Sequence, residues 1–175
     1  MLKGPIPPHV DPRKLADRAA RFEGELQLSG LKRLVDPLED DQGVVLASFD
    51  FGRDEQRTVV IHSQLDVAVT MICQRCLEPV VLPIHSECDY AVVNEGANTE
   101  HLPKGYDVLE VGEDPLDLLA LVEEELLLAL PIVPLHGPEI CQPPTGPETP
   151  ESSENEVSRS NPFSVLAQLK RDPNV

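Results

Sequence analysis

A long stretch of alternating apolar and polar residues, broken by one short turn, constrains this chain more than any other feature. Apolar side chains recur at nearly every second position from Thr58 to Ile72, and the alternation resumes from Val80 to Val92. Because successive side chains of a strand point to opposite faces of a sheet, the pattern predicts a long antiparallel hairpin with one buried and one wet face. Such a hairpin is not stable alone, so we expect other strands and a helix to pack against it.

The hairpin has a predictable buried face and one irregular position. The buried face is predicted to hold Val59, Ile61, Leu65, Val67, Val69, Met71, Val80, Leu82, Ile84, Cys88, Tyr90 and Val92. Proline has no N–H to donate to a neighbouring strand. Pro83, in the return strand, therefore indicates either an edge strand or a bulge.

Shorter patterns predict the elements that surround the hairpin. Asp11 and Pro12 form a helix start, because Asp accepts the free N–H groups and Pro needs none; we expect a short helix over residues 14–21. Residues 22–31 and 43–51 have strand-like patterns. Each of these patterns is short, so their order in a sheet cannot be derived from them.

One longer helix is predicted in the second half of the chain. Asp114 is a suitable N-cap and Pro115 a suitable first helical residue, while Pro131 ends the pattern. Its apolar face would hold Leu119, Val122, Leu126 and Leu130. The preceding residues 94–112 are polar and contain several glycines, so they are predicted to be a loop.

These patterns together predict an α+β fold and three regions. Residues 1–136 would form one domain with an antiparallel sheet of about five or six strands, open or partly closed, one main helix packed on it and a short N-terminal helix. Residues 137–160 are rich in Pro, Glu and Ser and are predicted to be a disordered acidic linker. Residues 161–175 would form a short terminal helical motif that folds against a partner or against its own domain.

The cellular compartment is indicated by the lack of a signal peptide and of an uncharged membrane-spanning stretch. The first ten residues lack the apolar core of a signal peptide, and the most apolar stretch, residues 116–135, contains several carboxylates. An ordinary membrane span would not tolerate them, so we expect a cytoplasmic protein without a membrane partner. Cysteines in that reducing compartment are thiols or metal ligands rather than disulfides.

Two cysteines lie at the turn of the predicted hairpin. Cys73 and Cys76 have the C-x-x-C spacing, and a hairpin turn is where zinc knuckles place two thiolates. Redox C-x-x-C motifs instead use a helix N-terminus, which this position lacks. His136 and Cys141 follow the predicted helix and could complete a site for one zinc ion. The alternative is that all four cysteines are reduced thiols without a metal.

Charge limits the class of partner. The chain has 14 Lys and Arg against 31 Asp and Glu, a formal net charge of −17. Broad binding to nucleic acid depends on clustered basic residues, so it is excluded for most of this surface, and a basic protein partner fits better. With no Trp and only six Phe and Tyr, base-stacking platforms are not expected either. The candidate partner-binding residues are Asp117, Glu123, Glu124, Glu125, Phe163, Leu166 and Leu169.

The basic residues are concentrated near the N-terminus. The segment before Leu34 holds half of the Lys and Arg residues of the chain. They could form a solvated helix face or a small patch that binds phosphate. The candidate RNA-binding residues are Lys14, Arg18, Arg21 and, at the hairpin turn, Arg75.

Motifs of catalysis are not found. The sequence has no phosphate-binding glycine loop, no G-x-S-x-G and no H-E-x-x-H motif, and its histidines are scattered. Glu123, Glu124 and Glu125 are adjacent on a helix and therefore point in different directions, unlike an acid–base pair. We therefore expect no enzymatic activity.

Three motifs in order resemble the YceD family of large ribosomal RNA subunit accumulation proteins. They are the sequence CQRCL at 73–77, the stretch DLLALVEEE at 117–125 leading to LPIVPLH at 130–136 with Cys141, and the terminal NPF at 161–163 with VLAQLK at 165–170. Their order and spacing agree over nearly the whole chain. The resemblance is to the proteobacterial branch.

The resemblance implies a role in the synthesis, processing or stability of 23S ribosomal RNA. It implies no enzymatic activity. The family's genes are commonly next to a gene for a small basic large-subunit protein, so it also implies a basic ribosomal protein, or an rRNA-processing factor, as the partner. Two alternatives stay open: local contact of the N-terminal basic segment with 23S precursor RNA, and a zinc- or magnesium-dependent RNA-processing enzyme.

Overall fold

The computed structural model describes residues 2–99 and 102–141. One compact unit extends from Met1 to Pro143. The predicted terminal motif with Phe163, Leu166 and Leu169 lies outside the described residues, as does most of the predicted linker. Those predictions are therefore not tested, and neither is the boundary at residue 136.

Eight strands and three α-helices make up the described part of the chain. In chain order they are β1 (Leu2–Lys3), β2 (His9–Val10), α1 (Pro12–Ala16), β3 (Arg21–Gln27), α2 (Lys32–Val35), β4 (Val44–Arg53), β5 (Val59–Ile72), β6 (Pro79–Val93), β7 (Asp107–Glu110), β8 (Leu116–Asp117) and α3 (Leu118–Ala129). A single 3₁₀ turn, Leu28–Gly30, follows β3. The fold class is α+β, as predicted.

Six strands form one sheet in the order β1-β3-β4-β5-β6-β7, and β2 pairs with β8 in a separate two-stranded sheet. The pairs β3–β4, β4–β5 and β5–β6 are antiparallel, but β1–β3 and β6–β7 are parallel. The prediction of a wholly antiparallel sheet is therefore wrong at both edges. The long connection over 94–106 explains the β6–β7 pair, because a parallel neighbour needs a crossover of about a dozen residues.

The long hairpin is confirmed in detail. β5 and β6 pair without a bulge from Val59 opposite Val92 to Ile72 opposite Pro79. All residues predicted for its buried face are buried or half-buried. Ser63 is buried among them and donates a hydrogen bond to the Cys88 carbonyl. Because β7 pairs only with the last residues of β6, Pro83 lies on an unpaired edge of β6. Of the two explanations predicted for Pro83, the edge position is therefore confirmed and the bulge is not observed.

The core lies between the sheet and the three helices. Its fully buried side chains include Phe49, Ile61 and Leu65 from the strands and Leu118, Val122 and Leu126 from α3. α3 is therefore the main helix packed on the sheet, as predicted. No helix among the described residues is long and apolar enough to cross a membrane.

The N-terminal helix is shorter than predicted. Asp11 is its N-cap, since its carboxylate accepts hydrogen bonds from the Arg13 and Lys14 backbone N–H groups. However, the helix ends at Ala16, and Ala19 has a left-handed φ of 45° that turns the chain away. The predicted boundary at residue 21 is wrong because Arg21 already belongs to β3, opposite Asp50.

The main helix begins later than predicted. Asp117, not Asp114, is its N-cap and accepts from the Leu119 and Ala120 backbone N–H groups at 2.9 and 3.1 Å. The start is delayed because Leu116 pairs with Val10 in the β2–β8 sheet. The segment 94–112, predicted to be loop, contains the four-residue strand β7.

Candidate functional site

The structure brings four potential metal ligands together where the β5–β6 hairpin meets the chain that follows α3. Cys73, Cys76, His136 and Cys141 each contribute one ligand atom, and all four atoms lie within 4.8 Å of one another. Sequence reasoning predicted this set. The sequence could not predict the distances, because they depend on how the segment after α3 returns to the hairpin.

The hairpin turn fixes the first two sulfurs. The β5–β6 ladder ends at Ile72 opposite Pro79, and within the turn the Cys73 N–H donates to the Glu78 carbonyl at 3.0 Å. The Leu77 N–H donates to the Cys73 carbonyl, and Leu77 adopts a φ of 63°. A left-handed conformation costs free energy in a residue other than glycine, so it persists only where the surrounding structure imposes it. The turn is thus held in a shape that directs Cys73 and Cys76 to the same side.

The second pair of ligands comes from the segment after α3. The Gln74 N–H donates to the Pro134 carbonyl at 2.9 Å, which joins this segment to the hairpin turn. The N–H groups of Ile140 and Cys141 both donate to the Gly137 carbonyl at 3.1 Å, forming a turn that returns Cys141 towards Cys73.

Two close contacts and one outer hydrogen bond define the geometry. The sulfurs of Cys73 and Cys141 are 3.8 Å apart, and the Cys76 sulfur is 3.2 Å from His136 Nδ1. The other ring nitrogen, Nε2, lies 3.0 Å from the Pro79 carbonyl oxygen. Since a carbonyl only accepts, this contact places the proton of a neutral His136 on Nε2 and leaves the Nδ1 lone pair facing the sulfurs.

The two buried thiols of the group differ in acidity. Burial raises the pKa of Cys73, but backbone N–H groups of Cys76, His136 and Arg75 point at its sulfur and lower the pKa to about 5. Burial and the hydrogen bond with Cys73 raise the pKa of Cys141 to about 11. Cys73 is therefore the thiolate of this pair near neutral pH, and thiolates are the form that binds metals.

The acidic residues predicted to bind a partner all have contacts within the fold. Asp117 caps α3, and Glu123 accepts a hydrogen bond from the Arg33 backbone N–H at 2.6 Å. Glu124 forms an ion pair with the Arg33 guanidinium at 3.3 Å. Glu125 accepts hydrogen bonds from the Ser86 and Tyr90 hydroxyls. Binding of a partner at these residues stays a prediction, but α3 is not a free row of carboxylates.

The outward face of the sheet is a larger acidic surface that sequence reasoning missed. Strand register places side chains from β3, β4, β5 and β6 in rows on this face; we call the set formed by Glu23, Glu25, Asp50, Asp66, Glu87 and Asp89 the acidic sheet face. The alternation indicated the wet positions of single strands. Only the register shows that the carboxylates of four strands lie together.

A depression of about 630 Å³ opens on this face. Glu23, Glu25 and Asp66 line it, together with the apolar side chains of Pro5 and Leu46. Nearby, His85 is 2.8 Å from Asp66, and His62 is 2.7 Å from Asp89. Ser48 and Gln64 complete its mixed lining, and carboxylates beside apolar side chains suit the charged end and the long apolar stem of a Lys or Arg side chain.

The four predicted RNA-binding residues do not form one patch. Lys14 is paired with Asp11 at 3.0 Å, and Arg21 with Glu23 at 3.0 Å. Arg75 is exposed at the hairpin turn, at the other end of β5 from the strand positions that face Arg21. The separation along β5 is roughly 30 Å. RNA contact at these residues stays a prediction.

Comparison with known proteins identifies relatives over almost the entire chain. The family described as "Large ribosomal RNA subunit accumulation protein YceD" matches residues 61–170. A curated protein of that name from Haemophilus influenzae is 33% identical over 173 residues, covering 98% of this chain and 99% of the relative. No solved structure gives a significant match.

Proposed function

Because the chain belongs to the YceD family of large ribosomal RNA subunit accumulation proteins, we propose that it supports the accumulation of 23S ribosomal RNA as a non-enzymatic, cytoplasmic factor. The observation that carries this proposal is the 33% identity with a relative of that name over 98% of the chain. The aligned region of 173 residues spans the hairpin, α3 and the four potential ligands Cys73, Cys76, His136 and Cys141, which we call the Cys–His group. The role covers synthesis, processing or stability of the RNA.

The partner in this proposal is a basic protein of the large subunit or of rRNA processing. The net charge of −17 supports a basic partner, because opposite charges steer association and like charges oppose it. Several basic side chains of the protein, including Arg21, Arg33 and Arg53, are already paired with its own carboxylates. That pairing disfavours them as the main contacts to RNA phosphates.

The acidic sheet face supports the same partner with a defined surface. Its carboxylates lie on the side of the sheet opposite the helices, whereas Asp117, Glu123 and Glu125 hold elements of the fold together. A basic segment of the partner would lie across β3–β6 with a Lys or Arg side chain in the depression beside Leu46. Binding would then weaken as salt screens the charges.

A cellular experiment tests the role in RNA accumulation. Depletion of the protein should lower the ratio of mature 23S to 16S RNA, and re-expression of the full chain should restore it. Depletion that leaves 23S levels and the ends of its precursor unchanged would contradict the proposal. The alternative, local contact of the N-terminal basic segment with 23S precursor RNA, is tested by the triple variant Lys14→Glu, Arg18→Glu, Arg21→Glu. This variant should restore 23S levels in depleted cells if RNA is not bound there. If RNA is bound there, cells with this variant should accumulate unprocessed 23S precursor.

A binding experiment tests the partner and its surface. The full-length protein would be titrated by calorimetry with purified basic large-subunit proteins in about 0.15 M salt. At this ionic strength the Debye length is about 8 Å, so only charges in close contact contribute strongly to binding. The double variant Glu25→Lys, Asp66→Lys should lose most of the affinity, while the matched variant Glu124→Lys on α3 should retain it. Loss only in the α3 variant would assign binding to the helix, and binding to none of these proteins would refute the basic-partner proposal.

A further inference from the structure

The Cys–His group joins two parts of the chain that apolar burial does not hold together. Cys73, Cys141 and Val80 form a small buried cluster separate from the main core. Apart from the buried Pro134, most of the segment that carries the second pair of ligands is exposed, with Ile132 at 99%, Val133 at 56% and Ile140 at 74% exposure. Because so little apolar area is buried there, some other interaction is needed to fix the segment.

We propose that Cys73, Cys76, His136 and Cys141 bind one zinc ion through their three sulfurs and His136 Nδ1, and that this ion holds the segment after α3 to the hairpin turn. This inference does not depend on the role in RNA accumulation. It concerns a metal site that would be present whatever partner the protein binds.

The donor atoms select zinc. Three sulfurs and one imidazole nitrogen form one of the standard tetrahedral sets for structural zinc, while calcium and magnesium require oxygen ligands. No carboxylate belongs to the group among the described residues. Because the protein supplies all four ligands, no position is left for a reactive water, so the ion is structural rather than catalytic.

The distances fit a tetrahedron that needs only a small closure. A Zn–S bond of about 2.3 Å gives a separation of about 3.8 Å between two sulfurs in a tetrahedral site. The Cys73 and Cys141 sulfurs are 3.8 Å apart, which matches that separation. The widest separation in the group, up to 4.8 Å, has to shorten by about 1 Å, which side-chain rotation can provide.

The surroundings orient the ligands as they do in known zinc sites. The Pro79 carbonyl accepts from His136 Nε2, so Nδ1 is left as the ligating nitrogen. The His136 backbone N–H points at the Cys73 sulfur at 3.4 Å. Such outer hydrogen bonds stabilise a thiolate ligand and fix its direction.

A disulfide between Cys73 and Cys141 is the competing use of these atoms. It would require the sulfurs, now 3.8 Å apart, to approach to about 2.05 Å with loss of two electrons to an oxidant. It would also leave Cys76 and His136 without a role. The structure has all four cysteines as free thiols.

Metal analysis of the full-length protein tests the proposal. Purified with reductant and without chelator, the protein should contain about one equivalent of zinc by atomic absorption. Cys73→Ser and Cys141→Ser should each lose most of it. Cys88→Ser is the matched control: Cys88 lies on β6, where its thiol donates to Asp107, so this variant should keep the full content. Less than about a tenth of an equivalent in the wild type, or full zinc in Cys141→Ser, would overturn the site.

A second measurement avoids variants that fail to fold. Wild-type protein stripped by a chelator should lose thermal stability and regain it on adding one equivalent of zinc, but not of magnesium. Cobalt substitution should give the absorption of tetrahedral thiolate coordination. A melting temperature that is unaffected by the chelator, or cobalt spectra without thiolate bands, would refute the site, and recovery by an oxidant instead of zinc would assign the sulfurs to a disulfide.

Discussion

At the scale of single residues, Glu125 shows how an acidic side chain can serve the interior of a fold. It lies half-buried between α3 and β6, where it accepts hydrogen bonds from Ser86 at 3.0 Å and from the Tyr90 hydroxyl. Burial, followed by the hydrogen bond to Glu125, raises the pKa of Tyr90 well above its usual range. Tyr90 therefore keeps its proton at neutral pH and donates it in a hydrogen bond to Glu125.

Removing that acceptor should destabilise the protein. Glu125→Ala leaves two hydroxyls without their partner, and we expect a loss of about 1–3 kcal/mol in the free energy of unfolding, measured by urea denaturation. Glu124→Ala is the matched control on the same helix: its ion pair with Arg33 is largely exposed, so the loss should stay below about 1 kcal/mol. Equal losses in the two variants would contradict this role of Glu125.

Cys88 predicts a pH dependence in the alkaline range. Burial, and then the hydrogen bond to Asp107, raise its pKa from 9.0 to about 12, so the folded state favours the protonated thiol. A raised pKa contributes stability that is fully present below pH 9.0 and is lost as the pH rises towards 12. The urea concentration at the unfolding midpoint should therefore decrease as the pH rises from 9.0 to about 12, and it should decrease less in Cys88→Ala. An identical pH profile in both proteins would refute this assignment.

At the scale of elements, the start of α3 depends on the side chain of its N-cap. Asp117 accepts two backbone N–H groups there and also lies 3.9 Å from His9 Nε2 in the paired strand β2. Asp117→Ala should lower the free energy of unfolding by about 1 kcal/mol, whereas Asp117→Asn, which can still cap the helix, should lower it much less. Thermal or urea unfolding measures the difference, and a partner-binding role alone would leave both stabilities unchanged.

Which elements can be predicted from sequence depends on how local their cause is. The β5–β6 hairpin was predictable because alternation over many residues reports burial directly. The start of α3 was not, because Asp114 and Pro115 form a good local cap that is overridden by the pairing of Leu116 with Val10. β7 is four residues long and has three of them exposed, so it leaves no periodic signal.

The candidate site also combines features that are visible in the sequence with features that depend on the fold. Residue type and spacing were enough to select Cys73, Cys76, His136 and Cys141, because few side chains bind zinc. The acidic sheet face could not be selected, since its carboxylates come from four strands and meet only through strand order and register. The helix acids were selected instead, because adjacency in sequence is visible and adjacency across a sheet is not.

At the scale of the whole molecule, the net charge of −17 is a cost to the compact state as well as a means of attraction. Raising the ionic strength from about 0.01 to about 0.15 M shortens the Debye length from about 30 to about 8 Å, which screens this self-repulsion. The melting temperature should therefore rise over that range. The melting temperature of a variant with Glu25→Gln and Asp66→Asn should rise less over the same range of salt. A melting temperature of the wild type that falls with salt would contradict the prediction.

The pairing of β2 with β8 has a consequence for how the chain folds during its synthesis. His9 lies opposite Asp117, so the first residues of the protein must wait for a segment made more than a hundred residues later. The meander from β3 to β6 can assemble earlier, because each of its strands pairs with its immediate neighbour in the chain. A nascent chain arrested before α3 would therefore expose the apolar side of that meander, which is covered only once α3 has been made.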